Sequence, residues 1–109
     1  MNRGLGKRIS YTEPETQPMR VTIRVFGDIS AVIGRRHELE VPEGATLSAV
    51  AKAVGEKTGQ RQGHLGEFAV GGKDLAILVN GRNIDLLDGV STVLREGDEV
   101  VIMQPTAGG

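Results

Sequence analysis

The chain has 109 residues, 13 Lys and Arg against 14 Asp and Glu, and a formal net charge of −1, so it lacks the basic excess that marks a nucleic-acid binder. With no cysteine, no tryptophan, one tyrosine and two phenylalanines, it excludes disulfides, thiolate metal sites and a cysteine nucleophile, and leaves Val, Ile, Leu and Ala to build the core of one small domain. No apolar run approaches the roughly 20 residues of a membrane span, and Met1 to Pro18 has no signal-peptide apolar stretch; the expectation is a cytoplasmic protein with neither membrane nor nucleic acid as partner.

Residues 1–18 are polar, carry Gly4, Gly6, Pro14 and Pro18, and hold no period of 2 or 3.6. This composition predicts a flexible extension. From Arg20 to Phe26 the pattern alternates: Val21, Ile23 and Val25 take one face, and Thr22, Arg24 and Phe26 the other, as in a half-buried strand. Asp28 to Ile33 reads as a short helical turn capped by Asp28 and stopped by Gly34. Arg36 to Val41 alternates again, with His37, Leu39 and Val41 on one side, until Pro42.

Thr46 is a good N-cap for Leu47, Val50, Ala51 and Val54, whose spacing gives one apolar helical stripe ending near Gly59. Gln60 to Asp74 is polar and Gly-rich, a long loop with room for a short turn or strand, anchored by Leu65, Phe68 and Val70. Leu75 to Asn80 is short and apolar, a buried strand. Asn80-Gly81 is a hairpin signal and Arg82 to Ile84 a short return. Leu86 to Leu94 connects, Glu96 to Asp98 turns, and Glu99 to Gln104 is the last strand, closed by Pro105.

Strands with one long helix predict an α+β domain, the helix packed on one face of the sheet. The domain is expected over residues 19–105 and a flexible tail over 106–109. A β-grasp arrangement, with first and last strands parallel at the centre, satisfies the element order.

Several segments together resemble the ubiquitin-like sulfur carriers: MoaD-like small subunits of molybdopterin synthase, the thiamine sulfur carrier ThiS and the small archaeal modifier proteins. These segments are Val21 to Gly34, the strand-to-helix junction Val41 to Leu47, the Ile77-Leu78-Val79-Asn80-Gly81-Arg82 segment, Gly97-Asp98-Glu99-Val100 and the closing Gly108-Gly109. MoaD-like proteins commonly carry Pro-Pro before the tail, where this chain has Gln104-Pro105. The resemblance implies a β-grasp fold and a carrier or modifier that is not itself an enzyme. It also implies a partner, an adenylating enzyme of the ubiquitin-activating kind, which uses ATP and Mg²⁺ on the last glycine. Sulfide or persulfide attack then gives a thiocarboxylate for molybdopterin, tRNA or thiamine sulfur supply; attack by a lysine gives an isopeptide bond. The molybdopterin synthase large subunit and target-protein lysines are further partners so implied. No cofactor is expected on the chain itself.

The residue chemistry agrees. A carboxylate is a poor acyl donor until its oxygen is phosphorylated. Gly108 and Gly109, without Cβ atoms, fit a narrow channel. Thr106 and Ala107 are small, and Pro105 stiffens the exit from the sheet. With Val21, Ile23 and Val25 turned to the helix, Phe26, Val101 and Met103 fall on the open face, where apolar side chains mark a partner site; the resemblance implies docking there. The alternative is that the Gln60 to Asp74 loop covers them. Arg82 is a candidate for an acidic partner surface, and Lys52, Lys57 and Lys73 for self-conjugation, against the commoner reading of solvated residues.

Other chemistries fit less well. Gly66 to Lys73 has the wrong spacing for a phosphate loop, and Asp74 stands where a hydroxyl belongs. His37 and His64 are too few for a metal site, so His37 reads as a strand residue. Asp85 and Asp88 lack a cleft. The rival from another class is a β-grasp interaction module whose Gly-Gly end is incidental and never activated.

Overall fold

Alternation drives the first strand. In β1 (Met19–Phe26) every second side chain, Met19, Val21, Ile23 and Val25, is buried, while Arg20, Arg24 and Phe26 are exposed. The computed structural model describes residues 18–104; the extension over 1–17 and the tail residues Pro105, Thr106, Ala107, Gly108 and Gly109 lie outside the described residues. After β1 come α1 (Ser30–Ile33), β2 (Arg36–Val41) and the main helix α2 (Leu47–Lys57). Then follow β3 (His64–Leu65), β4 (Phe68–Ala69), β5 (Ala76–Val79), β6 (Arg82–Asn83), two 3₁₀ turns (Ile84–Leu86 and Gly89–Ser91) and β7 (Glu99–Met103).

Five strands form one sheet in the order β2-β1-β7-β5-β6. β1 and β7 are parallel neighbours, Thr22 facing Glu99 through Phe26 facing Met103; β2 and β5 flank them antiparallel. The first and last strands therefore meet at the centre, and the β-grasp arrangement stands. α2 covers one face. Leu47, Val50, Ala51 and Val54 are buried on it, and they join β1, Ile77, Val79, Val100 and Ile102 in one core with Ile29, Ile33, Leu65 and Leu94. Each fully buried aliphatic side chain contributes about 1.5–3 kcal/mol.

The helix ends follow local chemistry. Thr46 Oγ1 accepts the Ala49 N–H at 3.3 Å, a side-chain N-cap. At the other end the Gln60 N–H donates to Gly55 O at 2.8 Å and the Gly59 N–H to Glu56 O at 3.3 Å, a Schellman closure with Gly59 at φ 74°.

Three expectations are corrected. Asp28 does not cap α1: Ile29 occupies the cap position without a side-chain bond of its own. The Gln60 to Asp74 segment, by contrast, uses its expected room for a short strand: β3 and β4 pair as a small antiparallel hairpin whose Leu65 is fully buried. β5 is buried on one side only: Ile77 and Val79 enter the core, while Ala76 and Leu78 are half-buried. β7 stops at Met103 rather than Gln104.

The Asn80-Gly81 turn is pinned to β7. Asn80 sits at φ 52° and Gly81 at φ 86°, the paired positive values of a type I′ hairpin. Asn80 Nδ2 donates to Asp98 Oδ1 at 2.9 Å, and Asn80 Oδ1 accepts the Glu99 N–H at 3.0 Å. Asp98 Oδ2 accepts the Arg95 N–H at 2.9 Å. Two segments that carry the family resemblance are thus one hydrogen-bonded clamp fixing the start of β7.

Candidate functional site

Residues directly opposite across a sheet share a face. Phe26 is opposite Met103, and Met103 opposite Ala76; Arg24 is opposite Val101, and Val101 opposite Leu78. The sheet thereby gathers Phe26, Met103, Val101, Ala76 and Leu78 into one apolar strip on the face away from α2. Phe26 is 45% and Met103 39% exposed. The alternative covering does not occur: the β3–β4 hairpin packs on the helix side, where Leu65 is in the core and the Leu65 side chain and His64 carbonyl lie close to Gly55 of α2.

Charge borders the strip. The Arg24 guanidinium stands 5.3 Å from the Phe26 ring centroid, within cation–π reach, and 3.6 Å from the Glu99 carboxylate. Arg20 pairs with Glu40 at 3.6 Å and Arg36 with Glu38 at 2.8 Å. The hydrogen bond from Arg36, then its charge, hold the Glu38 carboxyl below the usual carboxylate range, with a smaller lowering from Arg20. All three pairs are exposed, so solvent screens them and they add little to stability. Their weight is electrostatic pattern rather than stability.

The strip ends where the chain leaves the sheet. Beyond Met103, the Gln104 N–H donates to Phe26 O at 3.4 Å, and Gln104 Oε1 accepts the Ile29 N–H at 3.1 Å. The expected site residues Pro105, Thr106, Ala107, Gly108 and Gly109 lie outside the described residues, so the described part of the site is Phe26, Val101, Met103 and their neighbours.

Arg82 is not brought to this strip. It is three strands from Phe26 across the sheet, and it is opposite Val79, which is buried on the helix side. Lys52, Lys57 and Lys73 are exposed, the first two on α2. His37 is buried, and its Nε2 donates to the Ile33 carbonyl at the end of α1; because a carbonyl only accepts, that nitrogen carries the hydrogen. His64 Nδ1 lies 3.2 Å from Gln62 O. Among the described residues no group of three or more His, Asp or Glu side chains could hold a metal ion, and no helix is long and apolar enough to cross a membrane.

A groove of about 420 Å³ runs between α2 and the segment after it, lined by Lys52, Glu56, Arg61, His64 and Val70 among others. Among the described residues that line it, Glu56 is the one carboxylate and His64 the one imidazole.

Sequence reading missed Arg24, Ala76, Leu78 and Gln104. The alternation of β5 carried the signal for Ala76 and Leu78. Nothing local carried it for Gln104, whose partner Ile29 is 75 residues away.

Comparison with known proteins fits this geometry. The profile described as the ThiS family matches residues 23–109, and so runs through the described domain to the last glycine pair. The small archaeal modifier protein 3 of Haloferax volcanii is 30% identical over 92 residues, covering 84% of this chain and 100% of that one. A putative sulfur carrier protein of Archaeoglobus fulgidus is 40% identical over 65 residues, 60% of this chain and 67% of that one. The solution structure of small archaeal modifier protein 1 from Methanosarcina acetivorans superposes with a TM-score of 0.65 at 24% identity, covering 84% of this chain and 98% of that one; at that identity the likeness speaks for the fold, which is ubiquitin-like.

Proposed function

Because the chain belongs to the ThiS family, and is a ubiquitin-like protein of the modifier and sulfur-carrier kind, we propose that its functional group is the carboxylate of Gly109. A partner enzyme of the ubiquitin-activating kind, supplied with ATP and Mg²⁺, adenylates it. The carboxylate oxygen attacks the α-phosphorus of ATP and pyrophosphate leaves. A sulfide sulfur then attacks the acyl carbon and AMP departs, leaving a thiocarboxylate; a persulfide attacking there instead leaves an acyl disulfide, whose S–S bond a thiol of the sulfur donor cleaves to give the thiocarboxylate and a disulfide; a lysine amine attacking the same carbon releases AMP and a proton and leaves an isopeptide bond. The chain is the substrate of this chemistry and brings no catalyst.

The observation that carries this reading is the family match extending through Gly108-Gly109. The fold supports it physically. The parallel β1–β7 pair sets the end of β7 at the centre of the sheet, beside the exposed Phe26 and Met103. A partner docked on the apolar strip therefore receives the residues after Gln104 directly.

Sulfur carriage and lysine conjugation share the adenylation step. The host's molybdopterin synthase large subunit is a recipient in the first route, and target-protein lysines are recipients in the second. Intact-mass spectrometry tests the proposal. The protein is incubated with ATP, Mg²⁺, the cognate activating enzyme and a sulfur donor. A sulfur-for-oxygen shift confined to the C-terminal peptide is expected, and a chain lacking Gly109 should show none. No mass shift in either chain, or the same shift in both, would favour the interaction module whose tail is never activated.

A further inference from the structure

The end of β7 is held by the ladder's last rung, from the Gln104 N–H to Phe26 O, and by one side-chain bond that the ladder does not require. Gln104 stands one residue past the strand, and its side-chain oxygen takes the N–H of Ile29 at 3.1 Å. That N–H opens α1, a helix whose own cap position has no side-chain acceptor. Gln104 thus accepts the N–H of the cap residue itself, while the N–H groups of Ser30 and Ala31 go to the Gly27 and Asp28 carbonyls. Ile29 is buried, at 2% exposure, so its N–H would be costly to leave without a partner.

Gly27 makes the approach close. A Cβ built on Gly27 would lie 3.1 Å from the Gln104 Cβ and 3.4 Å from the Gln104 carbonyl oxygen, and Gly27 has φ +93°. The β1–α1 connection is therefore shaped to admit the Gln104 backbone against it. The Gln104 N–H adds a 3.4 Å bond to Phe26 O. One residue is tied on one side to Phe26, at the docking strip, and on the other to Ile29, at the start of α1.

We propose that Gln104 is a positioning residue that fixes the point from which the acyl tail leaves the domain, tying that point to the Phe26 docking strip. This inference rests on the reading that Gly109 is activated. If the end of β7 came free at Gln104, the tail would start one residue earlier. The carboxylate would then be spread over a larger volume around the partner's active site. Docking through Phe26 and Met103 would be unchanged, while the effective concentration of the acyl group at the nucleotide would fall. Loss of the anchor therefore lowers kcat of adenylation and leaves KM alone.

Two full-length variants test this beside the wild type. Gln104→Met keeps the length and volume of the side chain but removes the acceptor. Gln104→Glu keeps an acceptor oxygen. Adenylation is followed by ATP–pyrophosphate exchange with the cognate activating enzyme, well below the unfolding temperature of each protein. The expected result is a kcat for Gln104→Met reduced about 3- to 10-fold with KM within twofold of wild type. For Gln104→Glu, kcat should return to within about twofold of wild type. Amide hydrogen exchange at Ile29 and Met103 should be faster in the Met variant and protected in the Glu variant. A Met variant that melts earlier yet keeps wild-type kcat and KM would overturn the proposal and leave Gln104 a structural cap. An equal loss of kcat in both variants would overturn it as well. Absence of exchange with the wild-type chain itself would defeat the activation reading, and the positioning role with it.

Discussion

The two faces of the central sheet are written by the same alternating strands and end up doing different work. Toward α2, Val21, Ile23, Val25, Ile77, Val79, Val100 and Ile102 are all buried. On the other side the same strands carry Arg20, Arg24, Glu38, Glu40 and Glu99 over one part, and Phe26, Met103, Val101, Ala76 and Leu78 over the rest. The helix face needs every one of its apolar residues to hold a domain of this size together. The open face does not need Phe26 or Met103, because large parts of both remain in water. The difference teaches that the surplus apolar surface sits where β7 ends, beside the start of the proposed acyl tail, and not at random over the sheet.

Substitutions on the two faces should therefore separate stability from activation. Ile23→Ala, on the helix face, is expected to cost about 2–5 kcal/mol, read by urea denaturation, with the folded fraction still adenylated at the wild-type KM. Phe26→Ala, on the open face, should change stability by less than about 1 kcal/mol but raise KM for the activating enzyme about tenfold, the effect of removing an anchor worth roughly 1–2 kcal/mol. A large stability loss from Phe26→Ala would erase the distinction between the faces. Asn80→Ala leaves the Glu99 N–H and the Asp98 carboxylate without their partner. It should cost about 1–2 kcal/mol by the same denaturation assay, with KM unchanged, because it acts on the start of β7 and not on its end.

The smallest effect belongs to the charged part of the open face. Arg36 holds the Glu38 carboxyl below its usual range. The stabilisation from this pair is therefore present at pH above the unfolded carboxylate value and is lost as the pH falls through the lowered folded value. Since both side chains are exposed, Glu38→Gln should only slightly flatten the acid limb of a pH–stability curve, and added salt should shrink the difference.

Much of the fold was legible because strand alternation and the helical stripe are local signals. Val21, Ile23 and Val25 declare a face, and Leu47, Val50, Ala51 and Val54 declare another. Thr46 and Asn80-Gly81 act within a few residues of themselves, and both behave in the structure as their types dictate. What sequence reading missed is what depends on distant partners. Asp28 looks like a cap for α1, yet Ile29 takes the cap position, and its own N–H is accepted by Gln104 from the far end of the domain. Leu75 to Asn80 looks uniformly buried because it is uniformly apolar, and only its register against β7 shows that Ala76 and Leu78 turn to the open face. The candidate strip was legible for Phe26, Val101 and Met103 because each lies on a strand whose sidedness was clear. Arg82 stands apart from that strip, because a two-residue turn reverses the chain and sets it opposite Val79.

On the proposed reading, the domain presents the Gly109 carboxylate for activation. ATP–pyrophosphate exchange with the cognate activating enzyme measures this most directly, comparing the full-length chain with one lacking only Gly109. We predict exchange with the first and none with the second, at equal thermal stability. Equal exchange rates for the two chains would contradict the claim.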